Sequence, residues 1–281
     1  MFRDGLMSGK KVLVTGGGSG LGRSFALRQA ELGAEIVICG RRQAVLDETA
    51  QDLLRAGAPS VDIFSCDIRD AAAIDEMFDA IWAKGPLTGL INNAAGNFVA
   101  RTERLSPKAM DAVLNIVLHG SLYCTTAAGR RWIEGGQPGT VLSVVSSAAT
   151  SGRAFTVPSA AAKAGVLAMT KSLAVEWGPY NIRTVAVAPG LFPTEGAWGN
   201  LRPDGSDKIP QAMEVPLRRL GDHSEIANLV AYLMSDEAGY ISGECVTIDG
   251  GRDLLGGGGS GILGFFDFTD AQWETARKGK G

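Results

Sequence analysis

Thirteen residues near the N-terminus, Lys10-Lys-Val-Leu-Val-Thr-Gly-Gly-Gly-Ser-Gly-Leu-Gly22, restrict what this chain can fold into more than any other stretch. Val12, Leu13 and Val14 form a short apolar run with the character of a buried strand, and five glycines follow within seven residues. Leu21, Phe25, Leu27, Ala30 and Leu32 then recur at helical spacing. A strand, a glycine turn and a helix in immediate succession are how an α/β sheet grips a pyrophosphate. Glycine admits positive φ and lets the backbone approach the phosphates, and the helix start offers free N–H groups and the positive end of its dipole. The spacing is Thr-Gly-x-x-x-Gly-x-Gly rather than Gly-x-Gly-x-x-Gly. Gly16, Ser19, Gly20, Leu21 and Gly22 are the candidate contacts of this turn.

The same alternation continues. Apolar strands are expected at 35–39, 61–66, 89–92, 140–145, 183–188 and 246–249. Helices are expected at 42–56, 71–84, from Ser106-Pro107 onward, and 158–177, with proline at the first helical position in two of them. Apolar strands separated by helices predict one parallel sheet covered on both faces, a single-domain Rossmann-type doubly wound α/β fold of about seven strands. Right-handed crossovers give the strand order 3-2-1-4-5-6-7. At 281 residues and 45% hydrophobic content the chain can bury one large core.

Two segments break the rhythm. Residues 189–211 hold four prolines and four glycines without a period, and are expected to form a binding loop. Gly256-Gly-Gly-Gly-Ser-Gly261 is expected to be a flexible connector. It leads to a tail with Phe265, Phe266, Phe268 and Trp273, whose apolar surface is expected to bury against this subunit or a neighbour. The sheet-forming domain is thus 1–255 and the tail 256–281.

Composition excludes several partners. A net charge of −3 gives no electrostatic reason for nucleic-acid binding. Cys39, Cys66, Cys124 and Cys245 are widely spaced and read as small core hydrophobes in a reducing compartment, so no metal site is expected. The first residues lack a signal-peptide core, and no apolar run is long enough to span a bilayer. A cytoplasmic protein without membrane insertion is the expectation.

Asn92-Asn-Ala-Ala-Gly96, Pro189-Gly190 with Thr194, and Asp249-Gly-Gly251 join the glycine turn to make a set that resembles the short-chain dehydrogenase/reductase family over nearly the whole chain. The resemblance implies that Asp67 and Ile68 bracket an adenine and that Asn93, Ala94, Ala95 and Gly96 line the adenosine side. It also implies that Pro189, Gly190 and Thr194 hold the nicotinamide end. The end of strand two reads Gly40-Arg41-Arg42 with no acid. A carboxylate there would accept from the 2′-hydroxyl of NAD, whereas arginine pairs with the 2′-phosphate of NADP. Arg41, supported by Arg42, therefore points to NADP(H). Two cations at a helix start oppose its dipole, which fits a bound anion.

The departure from the family lies in its Tyr-x-x-x-Lys motif, which here reads Ser159-Ala-Ala-Ala-Lys163. Ser159 and Lys163 share a helix face, but a serine cannot replace a phenol as acid. The family's catalytic serine is matched by Ser146, beside Ser147, and its catalytic asparagine by Val117. One branch, the 2,4-dienoyl-CoA reductases, shares this oddity and resembles the chain at 93–98, 102–107, 157–163 and 216–221. That likeness implies reduction of a fatty 2,4-dienoyl-CoA to a 3-enoyl-CoA with NADPH, in a homotetramer built on the helices starting at Ser106 and Pro158. Charge driven onto a thioester oxygen needs hydrogen-bond donors rather than a phenolic proton. The residue before Gly120 helps in that branch and is His119 here, whereas a tyrosine used by some members is replaced by Ala148. The implied catalytic set is Lys163, His119, Ser159 and Ser146. The rival readings are a 3-oxoacyl thioester reductase and an NADP-binding scaffold without turnover.

Overall fold

The structure, a computed structural model, describes residues 2–194 and 211–278. Its elements alternate from the start. β1 (Lys11–Thr15) is followed by α1 (Gly20–Glu31), β2 (Glu35–Gly40), α2 (Gln43–Arg55), β3 (Val61–Ser65), α3 (Ala71–Ala83) and β4 (Gly89–Asn92). Next come α4 (Pro107–Leu114), a π turn (Asn115–His119), α5 (Gly120–Glu134), β5 (Gly139–Val144), α6 (Ala148–Ser151), α7 (Val157–Glu176) and β6 (Ile182–Pro189). The chain closes with α8 (His223–Met234), β7 (Cys245–Ile248), α9 (Gly259–Phe265) and α10 (Asp270–Lys278). All seven strands pair in parallel in the expected order, β3-β2-β1-β4-β5-β6-β7.

The strands' two-residue period sorts the core into two layers. Val12, Val14, Ile36, Ile38 and Leu142 face Phe25 of α1 and Ile226 and Val230 of α8. Leu13, Val37, Leu90 and Val141 face Phe78 of α3 and Trp132 of α5. Because both faces are covered, the strands are apolar without a break. Cys39, Cys66 and Cys124 belong to the second layer. Burial pushes the Cys39 thiol up to about 12 and that of Cys66 up to about 11, so both stay protonated packing groups.

The structure adds to the pattern in two places. α8 begins in a capping box, with Asp222 and Glu225 each closing on the other's backbone, and its apolar face completes the first layer. The long helix from Ser106 is not continuous, since five residues take π geometry. The helix start itself is as expected: Ser106 accepts from the Ala109 N–H, with Pro107 in the first turn.

In the glycine-rich stretch expected as a connector, a 3₁₀ turn (Arg252–Gly258) runs into α9. Phe265, Phe268 and Trp273 form one aromatic cluster, with Phe265 and Phe268 edge to face at 5.0 Å. Arg218 lies 5.3 Å from the Phe266 ring centre. Within the subunit, Phe265, Phe266 and Trp273 nevertheless stay 46%, 54% and 49% exposed. Most of the expected loop, residues 195–210, lies outside the described residues.

Glycines set how closely the helices approach. A Cβ on Gly129 of α5 would overlap the Trp177 ring beyond α7, while one on Gly178 meets nothing within 4 Å. Alanine gains about 1 kcal/mol of helix propensity over glycine, but overpacking costs about 1–3 kcal/mol. Gly129→Ala is therefore expected to lower the urea unfolding midpoint, with a net loss of up to about 2 kcal/mol. Gly178→Ala is expected to stay within about 0.5 kcal/mol of the parent.

Candidate active site at the carboxyl edge of the sheet

A parallel sheet brings the carboxyl ends of its strands to one edge, and the order reversal between β1 and β4 opens a crevice there. Both strand ends are tied across it. Thr15 Oγ accepts from the backbone N–H groups of Asn93 (3.0 Å) and Ala94 (3.1 Å). The Asn93 amide donates to the Thr15 carbonyl at 3.0 Å. Gly16, at φ +65°, brings its would-be Cβ within 3.1 Å of the Ala94 backbone, and a Cβ on Gly22 would overlap the Asn93 amide. Ser19 caps α1 in extended geometry, its side chain bonds none of the first-turn N–H groups, and that turn carries no acid. The result is a cradle without side chains at the positive end of a twelve-residue helix. It fits the pyrophosphate of a dinucleotide.

The adenosine end is framed by the loops after β2 and β3. Arg42 caps α2, whose first turn also lacks an acid, and its guanidinium donates to Ser19 Oγ at 3.3 Å. Arg41 is exposed, and among the described residues neither arginine has a carboxylate partner. Asp67 accepts two bonds from Arg69 Nε, at 2.9 and 3.0 Å. That guanidinium, with a smaller contribution from Arg41, holds the Asp67 carboxyl below its usual range. Ile68 is buried under Gly120, where a Cβ would stand 2.6 Å from its Cδ1. Ala95 is exposed, and Gly96 faces Ile116 of the π turn at 3.7 Å.

β6 and β7 close the other end. The Gly190 N–H donates to the Ile248 carbonyl, and a Cβ on Gly190 would lie 2.5 Å from that of Asp249. Asp249 in turn accepts from the N–H groups of Gly251 and Asp253. Pro189 ends β6, and Thr194 reaches back over the glycine turn, its methyl 3.5 Å from a Cβ placed on Gly20.

Lys163 sits on the buried face of α7 and donates to the Val144 carbonyl at the end of β5. Burial pulls its ammonium down to about 8. Ser146, two residues beyond that carbonyl, is half-buried and lines a cleft of about 250 Å³ with Lys171 and Glu244. Ser159 is half-buried one turn ahead of Lys163. The N-cap of α7 is Thr156.

His119 ends the π turn on an exposed face. Its Nδ1 is 2.8 Å from Asn115 Oδ1, and its ring centre is 6.0 Å from that of Tyr123. The turn packs against α7, with Leu118 2.8 Å from a Cβ placed on Gly165, and with Val117 and Ala162 in one cluster. The sequence-derived groups thus gather along one edge. His119 reaches α7 through its helix neighbours rather than its ring. Sequence reasoning missed two groups, the Arg69 clamp on Asp67 and His223. The latter's ring lies 2.7 Å from both Ser24 Oγ and the Pro193 carbonyl. The Asp-x-x-Glu of the capping box was the available signal for the start of α8.

Known proteins share this arrangement. Residues 16–253 match the family model described as enoyl-(acyl carrier protein) reductase. A Bacillus subtilis (strain 168) protein named probable 2,4-dienoyl-CoA reductase, (2E)-enoyl-CoA-producing, is 45% identical over 250 residues, 88% of this chain and 98% of its own. A Caenorhabditis elegans protein named probable 2,4-dienoyl-CoA reductase 3, (3E)-enoyl-CoA-producing, is 42% identical over 257 residues, 90% of this chain and 83% of its own. The crystal structure of a short chain dehydrogenase from Bacillus anthracis superimposes with a TM-score of 0.78 at 43% identity, covering 88% of this chain and 97% of that one.

The Lys163 ammonium loses its charge as pH rises through about 8. Its electrostatic help to a bound polyanion is present below that pH and lost above it. Affinity for a nicotinamide dinucleotide is therefore expected to fall between about pH 7 and about pH 9. A titration across that range in the parent protein and in Lys163→Arg checks this, since the arginine variant keeps its charge throughout.

Proposed function

Since this chain belongs to the short-chain dehydrogenase/reductase family of oxidoreductases, we propose that it reduces a fatty 2,4-dienoyl-CoA to a 3-enoyl-CoA with NADPH. One observation carries the reading. A buried lysine bonds the Val144 carbonyl at the end of β5, two residues before Ser146, and the residue one turn ahead of the lysine is Ser159 instead of a phenol. An alkoxide formed from a ketone requires an acid of that kind at once. A conjugated thioester does not, because charge delocalises onto its oxygen and carbon is protonated afterwards. The names of the relatives agree with this substrate class.

When bound, the reduced nicotinamide supplies the hydride; the chain's residues hold it and manage charge. The glycine turn takes the pyrophosphate, Arg41 and Arg42 the 2′-phosphate, and Lys163 the nicotinamide ribose. The Lys163 charge, desolvated by burial, also favours negative charge developing nearby. Ser146 and Ser159 offer hydroxyl donors to the thioester oxygen. Asn115 orients the His119 ring, its Oδ1 2.8 Å from Nδ1, and His119 is the candidate side chain for the proton delivered to carbon.

Assembly follows the same reading. A homotetramer would pair the α4–α5 and α7 faces, which leave Tyr123 and Val175 exposed on the subunit. Residues 1–255 form the reductase domain and 256–281 an appended tail.

Incubation with NADPH and a 2,4-dienoyl-CoA is expected to consume the nicotinamide absorbance and yield the 3-enoyl product, with no consumption on a 3-oxoacyl thioester. Mass spectrometry and NMR of the product separate 3-enoyl from 2-enoyl, the two outcomes named for the relatives. Efficient ketone reduction with no turnover of any dienoyl thioester overturns the reading. Separately, Arg41→Ala is expected to cost about 1.5–3 kcal/mol of NADPH binding, tenfold or more in Kd, and to leave NADH nearly untouched. Calorimetric titration with both nucleotides measures this.

A further inference from the structure

We propose that His223 is a positioning residue that fixes residues 191–194 against the glycine turn and thereby sets cofactor affinity. The inference rests on the cofactor part of the function above and goes beyond it. His223 opens α8, and its two ring nitrogens reach different segments. Nδ1 is 2.7 Å from Ser24 Oγ on α1, and Nε2 is 2.7 Å from the Pro193 carbonyl beyond β6. A carbonyl can only accept, so Nε2 carries a hydrogen and donates it. In the neutral ring Nδ1 accepts the hydroxyl hydrogen of Ser24. That hydroxyl otherwise points to the Gly20 carbonyl, 3.2 Å away in the glycine turn.

Two of the three anchors are rigid. α8 is fixed by its capping box and by Ile226 and Val230 in the core, with Glu225 held at 2.7 Å by both Arg219 amines. α1 is fixed by Phe25 and Ala26. The third anchor is loop, and it is held to the start of α8 three times. The Gly221 N–H donates to the Leu191 carbonyl at 3.0 Å, and Phe192 covers Gly221 so closely that a Cβ there would overlap its ring. His223 then donates to Pro193. The first two contacts need only backbone and apolar surface, whereas the third needs a donor of histidine's reach. It is also the contact nearest Thr194, whose methyl stands over Gly20, itself at φ +53°. Freeing the Pro193 carbonyl frees Thr194 from the turn that receives the pyrophosphate.

The test is NADPH binding to the full chain by fluorescence titration, below the melting transition of every variant, together with steady-state kinetics on a 2,4-dienoyl-CoA. His223→Ala is expected to raise the NADPH Kd about fivefold or more, with KM for NADPH rising further than kcat falls. His223→Gln, whose Nε2 reaches the same carbonyl, is expected to return Kd to within about twofold of the parent. His223→Asn, which reaches only Ser24, is expected to behave like His223→Ala. A purely structural role moves the melting temperature and leaves the glutamine and asparagine variants alike. An unchanged Kd in His223→Ala, or equal affinities for the glutamine and asparagine variants, overturns the proposal alone. A parent protein that binds neither NADPH nor NADH overturns the cofactor reading and this inference with it.

Discussion

The close approach between the glycine turn and the start of the β4 loop is the constraint on which the rest depends. Thr15 and Asn93 reach across it in both directions, and their bonds use the space that Gly16 and Gly22 leave clear. A side chain at either glycine would push the glycine turn away from the β4 loop at the point where the strand order reverses. That separation would dissolve the crevice and uncap the loop from Asn93 to Gly96. The same emptiness that lets the two strands approach leaves the helix start open, so the packing and the proposed pyrophosphate cradle share one cause.

From that crevice the remaining parts are placed by helix contacts rather than by the sheet. α5 lies close over the β3 loop because Gly120 admits Ile68, and the π turn lies close to α7 because Gly165 admits Leu118. A π turn carries one more residue per turn than the helix around it, and such turns recur at functional sites. Here it separates α4, capped by Ser106, from α5, anchored by Trp132 in the core. Lys163 is buried on the opposing helix with a single carbonyl partner, an arrangement that core packing does not require and that depresses its pKa. The polar groups of this edge are thus held on elements whose apolar faces are already committed to the core.

Much of this was legible in the chain because it follows from local rules. Continuous apolar runs identified the strands, and Ser106-Pro107 marked a helix start to the residue. The absence of an acid after Gly40 was visible directly. What escaped reading depends on neighbours distant in sequence. Beyond the glycines of 256–261, Phe265, Phe268 and Trp273 cluster and Arg218 covers Phe266, contacts that no local pattern announces. His223 carries no local signal at all, since Ser24 is 199 residues away from it.

The sequence by itself determined the parallel sheet and its strand order, the glycine turn after β1, the cations beyond β2 and the absence of a phenol before Lys163. Each is a property of residue type at a fixed short spacing, where backbone geometry and side-chain chemistry act directly. Only the tertiary structure decided which way His119 is turned, that Lys163 meets the Val144 carbonyl, and that His223 joins three segments. These are distances between groups far apart in the chain, and they are set by how closely glycine allows one packed element to approach another.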